Sequence, residues 1–279
     1  MLSKRDYKSS SWRLKFNHAE NYRRELNSLL DEMDRSFPPS IELESWNGKT
    51  IRYRITTHQK PELHWSLLLG DCLHNYRSSL DSLYFAIIFE LAKRQQKEFT
   101  ENFEHSIQFP IHKKELKFNE LKEILEFGTD QLKEDLKTHQ PFNNVDSNSE
   151  NYDELLENHP LEQLRKLSNI DKHRQLNLVQ SFMDDFALFH NQGIQIIRGR
   201  SLNIKHNPLQ YIYEFDVEGG LPEDRIEIIP RFTLGIITPK GNLPRNSIQN
   251  VLALISGLIS DYIHKLEYHL DNDLGFPLK

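Results

Sequence analysis

The stretch ELHWSLLLGDCLHNYRSSLDSLYFAIIFELAKR, residues 62–94, decides the fold. Leu69, Leu73, Tyr76, Leu80, Leu83, Tyr84 and Ile87 return at three- and four-residue steps, the period of one helix face. From Tyr84 to Leu91 the chain is apolar on most sides, and a helix apolar nearly all round belongs in the middle of a bundle. Outward from this helix, residues 11–36 predict another. Phe16, Ala19, Tyr22, Leu26, Leu29, Leu30 and Met33 recur at helical spacing, and Pro38-Pro39 stops it. Between the two, Ile41, Leu43 and Ser45 alternate with acids, Asn47-Gly48 is a turn pair, and Ile51, Tyr53 and Ile55 alternate on the return. That pattern predicts a hairpin over 41–56.

Downstream, residues 95–160 read as an elaboration inserted between core helices. Short helices are expected near 114–126 and 129–137, and an exposed loop over the polar, turn-rich 143–153. Pro160 suits the first turn of a helix over 160–180. The period then changes. Phe186 to Arg200, Leu202 to Glu218 and Arg225 to Thr238 alternate β-branched and aromatic residues and predict an antiparallel meander over 186–240. Pro244 opens a last helix to about 270, with Ile248, Leu252, Ile255, Leu258, Ile259 and Ile263 inward. The expected fold class is α+β, an antiparallel helical bundle with a small antiparallel β-sheet. It is read as a single domain over 1–279, with the bundle at 11–180 and 244–270.

Composition narrows the function classes. Of 279 residues, 35 are Lys or Arg and 41 are Asp or Glu, a net charge of -6. Residues 1–60 carry 12 basic and 8 acidic side chains and 93–160 carry 9 and 15, so the chain lacks the strongly basic face of a protein that coats duplex nucleic acid. With 16 Phe and 10 Tyr it is too aromatic for wholesale disorder. One cysteine excludes an intrachain disulfide and a cysteine zinc cage. No apolar run reaches the ~18 residues of a membrane span, and the basic start lacks the apolar stretch of a signal peptide. A soluble, cytoplasmic protein is expected. There is no Walker loop, no Gly-x-Gly-x-x-Gly, no Gly-x-Ser-x-Gly and no metal-ligand motif, so neither a cofactor nor a metal is expected.

Two polar constellations interrupt apolar faces. On the 62–94 helix, His74, Arg77, Ser78 and Asp81 fall within one sector beside the apolar face, and an Arg and an Asp four apart can pair. On the 160–180 helix, Asp171 and Arg174 share a stripe with Leu164, Leu167 and Leu178, and His173 lies beside them. Charges on a buried face are costly unless paired or wetted. Pairing Arg77 with Asp171 and Arg174 with Asp81 would neutralise all four in one shared site. Such a site is either a structural network or a pocket for phosphate, whose oxygens match the Arg fork. His74, Arg77, Asp81, Asp171, His173 and Arg174 are the candidate catalytic or binding residues. The remaining histidines are expected at surfaces and helix ends, and Cys72 as a small core residue.

The run Gly70-Asp71-Cys72-Leu73-His74-Asn75-Tyr76-Arg77-Ser78-Ser79-Leu80-Asp81, with Phe109-Pro110-Ile111, Gln140-Pro141 and Asn169-Ile170-Asp171-Lys172-His173-Arg174, resembles a bacterial family of uncharacterised proteins. Its first motif typically reads Leu-His-Asn-Leu-Arg-Ser-Ala-Leu-Asp-His. That motif is also similar to the one in HEPN domains, helical bundles rich in ribonucleases of toxin–antitoxin, CRISPR and phage-defence systems. Their motif is an Arg, four to six residues, then a His. The resemblance implies that Arg77 steadies a phosphate. Position 82, where the motif His would stand, is Ser82, so His74 or His173 would have to serve as the base. Three functions follow as expectations. The first is a non-catalytic HEPN-like binding or regulatory module of a defence or toxin–antitoxin system. The second is a metal-independent endoribonuclease. The third is an enzyme on a small phosphorylated or carboxylated ligand. The expected partners are single-stranded RNA or a phosphate-bearing ligand, a second copy in a homodimer and a partner protein, but no membrane.

Overall fold

The computed structural model describes residues 10–38, 40–56, 62–98, 100–104, 106–173, 177–189, 195–203, 210–218, 227–238, 241–242 and 247–271. In chain order the elements are α1 (Ser11–Ser36), β1 (Ser40–Trp46), β2 (Thr50–Thr56), α2 (Leu63–Arg94), α3 (Glu101–Glu104), α4 (Glu115–Asn119), α5 (Lys122–Phe127), α6 (Asp130–Thr138), α7 (Pro141–Asn144), α8 (Tyr152–Asn158), α9 (Pro160–His173), β3 (Asn177–Phe189), β4 (Gln195–Asn203), β5 (Gln210–Glu218), β6 (Glu227–Thr238), β7 (Gly241–Asn242) and α10 (Ile248–Asp271). The chain is therefore α+β. It divides into two compact units, Met1–Arg24 with Leu67–Leu176 and Asn250–Lys279, and Glu25–Ser66 with Asn177–Gln249.

The first unit is helical, and α2 is its centre. Leu69, Leu73, Tyr76, Leu80, Leu83, Tyr84 and Ile87 are all fully buried, as are Cys72, Ser79 and Ile88 on the other flanks. Full burial of each large apolar side chain contributes ~1.5–3 kcal/mol. α1 runs antiparallel to α2. Ser79 Oγ donates to Trp12 O at 2.9 Å at one end, and Cys72 Sγ to Ala19 O at 3.3 Å at the other. Burial pushes the Cys72 thiol far up, which suits a core residue. α1 is antiparallel to α10 as well. Trp12 Nε1 donates to Glu267 at 2.7 Å, and Ser256 Oγ donates to Glu20. α2 ends where Gln96 takes a left-handed φ of 55° and Lys97 N–H reaches back to Ala92 O at 3.0 Å, a Schellman-type close.

The insertion is more helical than its composition suggests. The helix expected over 114–126 divides into α4 and α5. The loop expected over 143–153 holds α8 from Tyr152 onward, because Leu156 buries its side chain at 6% exposure and anchors a turn that polar neighbours disguise.

The second unit carries the strands. The expected hairpin forms, with Gly48 at φ +88° and Asn47 Oδ1 accepting from Lys49 N–H at 3.0 Å and Thr50 N–H at 2.8 Å. The later strands do not form a meander. Among the described residues they fall into two sheets, β1-β2-β5-β4 and β3-β6-β7, all antiparallel. Ile51 pairs with Phe215 across β2 and β5, and both are buried. Of the helix expected over 160–180, Pro160–His173 are helical as α9 and residues 174–176 lie outside the described residues, while Asn177 opens β3, whose Leu178 stands opposite Ile236 of β6. Strand pairing with a distant partner overrides the local helical spacing there. Residues 243–246, which include the Pro244 expected to open the last helix, lie outside the described residues.

Candidate functional site

Arg77 and Asp81, one turn apart on α2, grip a single residue of the insertion. Arg77 Nη2 donates to Phe109 O at 2.7 Å, Phe109 N–H donates to Asp81 Oδ1 at 2.9 Å, and Arg77 Nε donates to Asp81 Oδ2 at 3.2 Å. Both backbone groups of Phe109 are thus satisfied by side chains of one ion pair. The Phe109 ring packs edge-on against Tyr84 and Tyr262, with centroids 6.0 and 4.9 Å away. Gln140, fully buried, does the same one step along. Its Nε2 donates to Pro110 O at 2.9 Å, and its Oε1 accepts from His112 N–H at 2.9 Å. Pro110 has no N–H, so this segment cannot pair as a regular strand, and side chains supply the partners instead. The Phe-Pro-Ile and Gln-Pro motifs meet the Arg and Asp of the first motif here.

The remaining predicted residues fall elsewhere. Ser82 accepts from Lys15 Nζ at 2.7 Å. Asp171 of α9 lies over Gly70 of α2, so close that a Cβ there would stand 2.6 Å from Asp171 Oδ1. α2 and α9 are therefore neighbours, as expected. The expected Arg77–Asp171 pairing is replaced, however, because Arg77 lies seven residues, about 10 Å, further along α2. His74, exposed on α2, is the group that draws the Asp171 pKa down, against burial and Asp71, which raise it. Burial wins, and the carboxyl sits above its ordinary range. The His173 side chain and Arg174 lie outside the described residues, so the Arg174–Asp81 pairing does too.

A raised carboxyl pKa has a defined sign. The ionised form is disfavoured in the fold, so Asp171 weakens the protein above the folded pKa, and the penalty fades as pH falls towards the unfolded value near ~3.9. Asp171→Asn is expected to raise the urea midpoint at pH 7, with the gain shrinking as pH falls through the raised folded pKa towards the unfolded value. A variant less stable than the parent at pH 7 would show instead that a cation pairs with Asp171.

Three residues do not stand out in the sequence. His112 feels the positive charges of Arg165, Lys117 and Arg77, which with burial hold its imidazole below the ordinary range. α9 meets α2 where Asp171 lies beside Gly70. Ser168, one turn before Asp171 on α9, is 5% exposed, and its hydroxyl has no partner. The signal for α9 is present as Glu162, Arg165, Ser168 and Asp171 at three-residue steps, a polar ladder beside the Leu161, Leu164 and Leu167 stripe. Among the described residues no three His, Cys, Asp or Glu side chains gather as a metal site, and no helix is long and apolar enough to cross a membrane. In comparisons with known proteins, no family model, curated protein or solved structure matches the chain.

Proposed function

We propose that this protein is a HEPN-like helical module that binds rather than cleaves, a cytoplasmic regulatory component of a bacterial defence or toxin–antitoxin system, with RNA or another phosphate-bearing ligand as its target. The observation that supports this reading is the occupation of Arg77. Its guanidinium donates to the Asp81 carboxylate and the Phe109 carbonyl, and only 14% of the side chain is exposed. An arginine that steadies a scissile phosphate must present its fork to the ligand. Position 82 offers a hydroxyl engaged by Lys15 rather than an imidazole. The Arg and His of a HEPN ribonuclease are, on this reading, one structural clamp and one lost base.

The ribonuclease reading keeps His74, exposed one turn before Arg77. Fluorescein-labelled single-stranded RNA in EDTA separates the two. A binding module raises the anisotropy and leaves the RNA whole, and Ser82→His leaves it whole too. Release of a 2′,3′-cyclic phosphate by the parent, lost in His74→Ala and absent with DNA, would make the protein a ribonuclease. Sedimentation of the parent at micromolar concentration tests the homodimer.

A further inference from the structure

A groove of about 570 Å³ lies along α2 within the helical unit. Its size is that of small-ligand sites, roughly 300–1,000 Å³. Ser82, Phe85, Ala86, Phe89 and Glu90 form its α2 wall, at the spacing of one helix face. Trp12 of α1, Ile107 of the insertion and Leu270 of α10, all buried, complete the apolar lining. Phe85 and Phe89 stack with ring centroids 6.0 Å apart and planes 21° from parallel, and Phe89 is 49% exposed. An aromatic side chain so exposed at a groove is a platform on which another flat ring can stack.

The polar groups of the groove differ along its length. Asp81 is filled, since it pairs with Arg77 at 3.0 Å and accepts from Phe109 N–H. Glu90 gives Oε1 to Arg94 Nε at 3.1 Å, while its Oε2 has no hydrogen bond among the described residues and a quarter of the side chain is exposed. Each carboxylate therefore already has its arginine. What is left at Glu90 is a hydrogen-bond acceptor whose charge is balanced, which suits a neutral N–H donor better than an ammonium. Near the other end, about 12 Å back along α2, Ser82 Oγ accepts from the half-buried Lys15 ammonium at 2.7 Å. An ammonium has three donors, and among the described residues Lys15 uses one, so it can still meet an anion.

We infer that this groove holds one unpaired nucleotide of single-stranded RNA and selects a base that carries an exocyclic amino group. The base stacks on Phe89, its amino group donates to Glu90 Oε2, and the adjoining phosphate meets Lys15. Only an unpaired base exposes a face for stacking and an amino group for a side chain to read. Cytosine offers its N4 amino group to a carboxylate. Uracil presents a carbonyl oxygen at the same position, and two acceptors facing each other repel. The inference rests on the RNA-binding reading of the module and adds the base that the module selects.

The test is fluorescence anisotropy of labelled cytidine and uridine hexamers, titrated with the full-length protein at one fixed salt concentration. The two differ at the base only in what position 4 offers, an amino group or a carbonyl. The cytidine hexamer is expected to bind about tenfold tighter, the range of a hydrogen bond to a charged group. Glu90→Gln is expected to erase that preference, because an amide donates to a carbonyl as readily as it accepts from an amine. Phe89→Ala is expected to weaken both hexamers about tenfold through lost stacking, and Lys15→Ala both about threefold. Phe89 is exposed, and the Gln at position 90 keeps an acceptor for Arg94, so these variants retain the fold, which a far-UV spectrum checks. Equal binding of the two hexamers, or binding that Phe89→Ala and Glu90→Gln leave unchanged, overturns the groove while the RNA-binding module survives. Binding of neither hexamer overturns the groove and removes RNA as the target of the module.

Discussion

Gln140→Ala is expected to lower stability by about 3 kcal/mol. Gln140 is fully buried, and its amide satisfies two backbone groups at once, the Pro110 carbonyl and the His112 N–H. Removing it leaves both desolvated without partners, at ~1–3 kcal/mol each, and adds a cavity. Gln140→Met separates the terms, since it keeps most of the volume and loses both hydrogen bonds. Urea unfolding of the parent and both variants reads the result as midpoint shifts at constant slope. The Met variant is expected to retain most of the loss. A Met variant near the parent's midpoint would mean that packing, not the amide, holds the segment.

Arg77→Ala is expected to cost ~2–4 kcal/mol, through the lost bond to Phe109 O and the stranding of a partly buried Asp81. The pair acts as one clamp, so the two truncations should not add. In the Arg77→Ala background, Asp81→Ala should cost less than in the parent by ~1–3 kcal/mol, the coupling typical of groups in one hydrogen-bonded network. Arg77→Lys should rescue little, because a point ammonium cannot reproduce the fork shared between a carboxylate and a carbonyl. A cost under ~0.5 kcal/mol for Arg77→Ala would contradict the clamp and return Arg77 to the ribonuclease reading, since a surface arginine kept for a ligand contributes little to the fold.

The clamp changes what the sequence motif means. Arg77 and Asp81 border an apolar face, and their four-residue spacing alone makes them legible as an ion pair. That the pair holds Phe109 is not legible, because the partner is a backbone group 28 to 32 residues away whose side chain says nothing of its carbonyl. The Phe-Pro-Ile and Gln-Pro segments stand out as motifs in the chain, but their shared purpose appears only when Gln140 meets Pro110 and His112.

Helical spacing by itself determined the helices of the core. The apolar positions of α2 at three- and four-residue steps are the positions found buried, since a helix has one period and one stripe to hide. Alternation likewise determined that 41–56 is a hairpin and that strands follow the ninth helix. Strand partners were decided only by the tertiary structure. Alternation orients side chains to two faces without naming a neighbour, so β5 joined β2 and β4 while β3 took β6. The strand character of Leu178 was decided in the same way, where pairing with Ile236 outweighed a helical stripe that continued to Leu178. The meeting of Asp171 with Gly70 rather than Arg77 was also left to the fold. Spacing places a charge on a helix face, but only the packing of two helices sets how far one slides along the other.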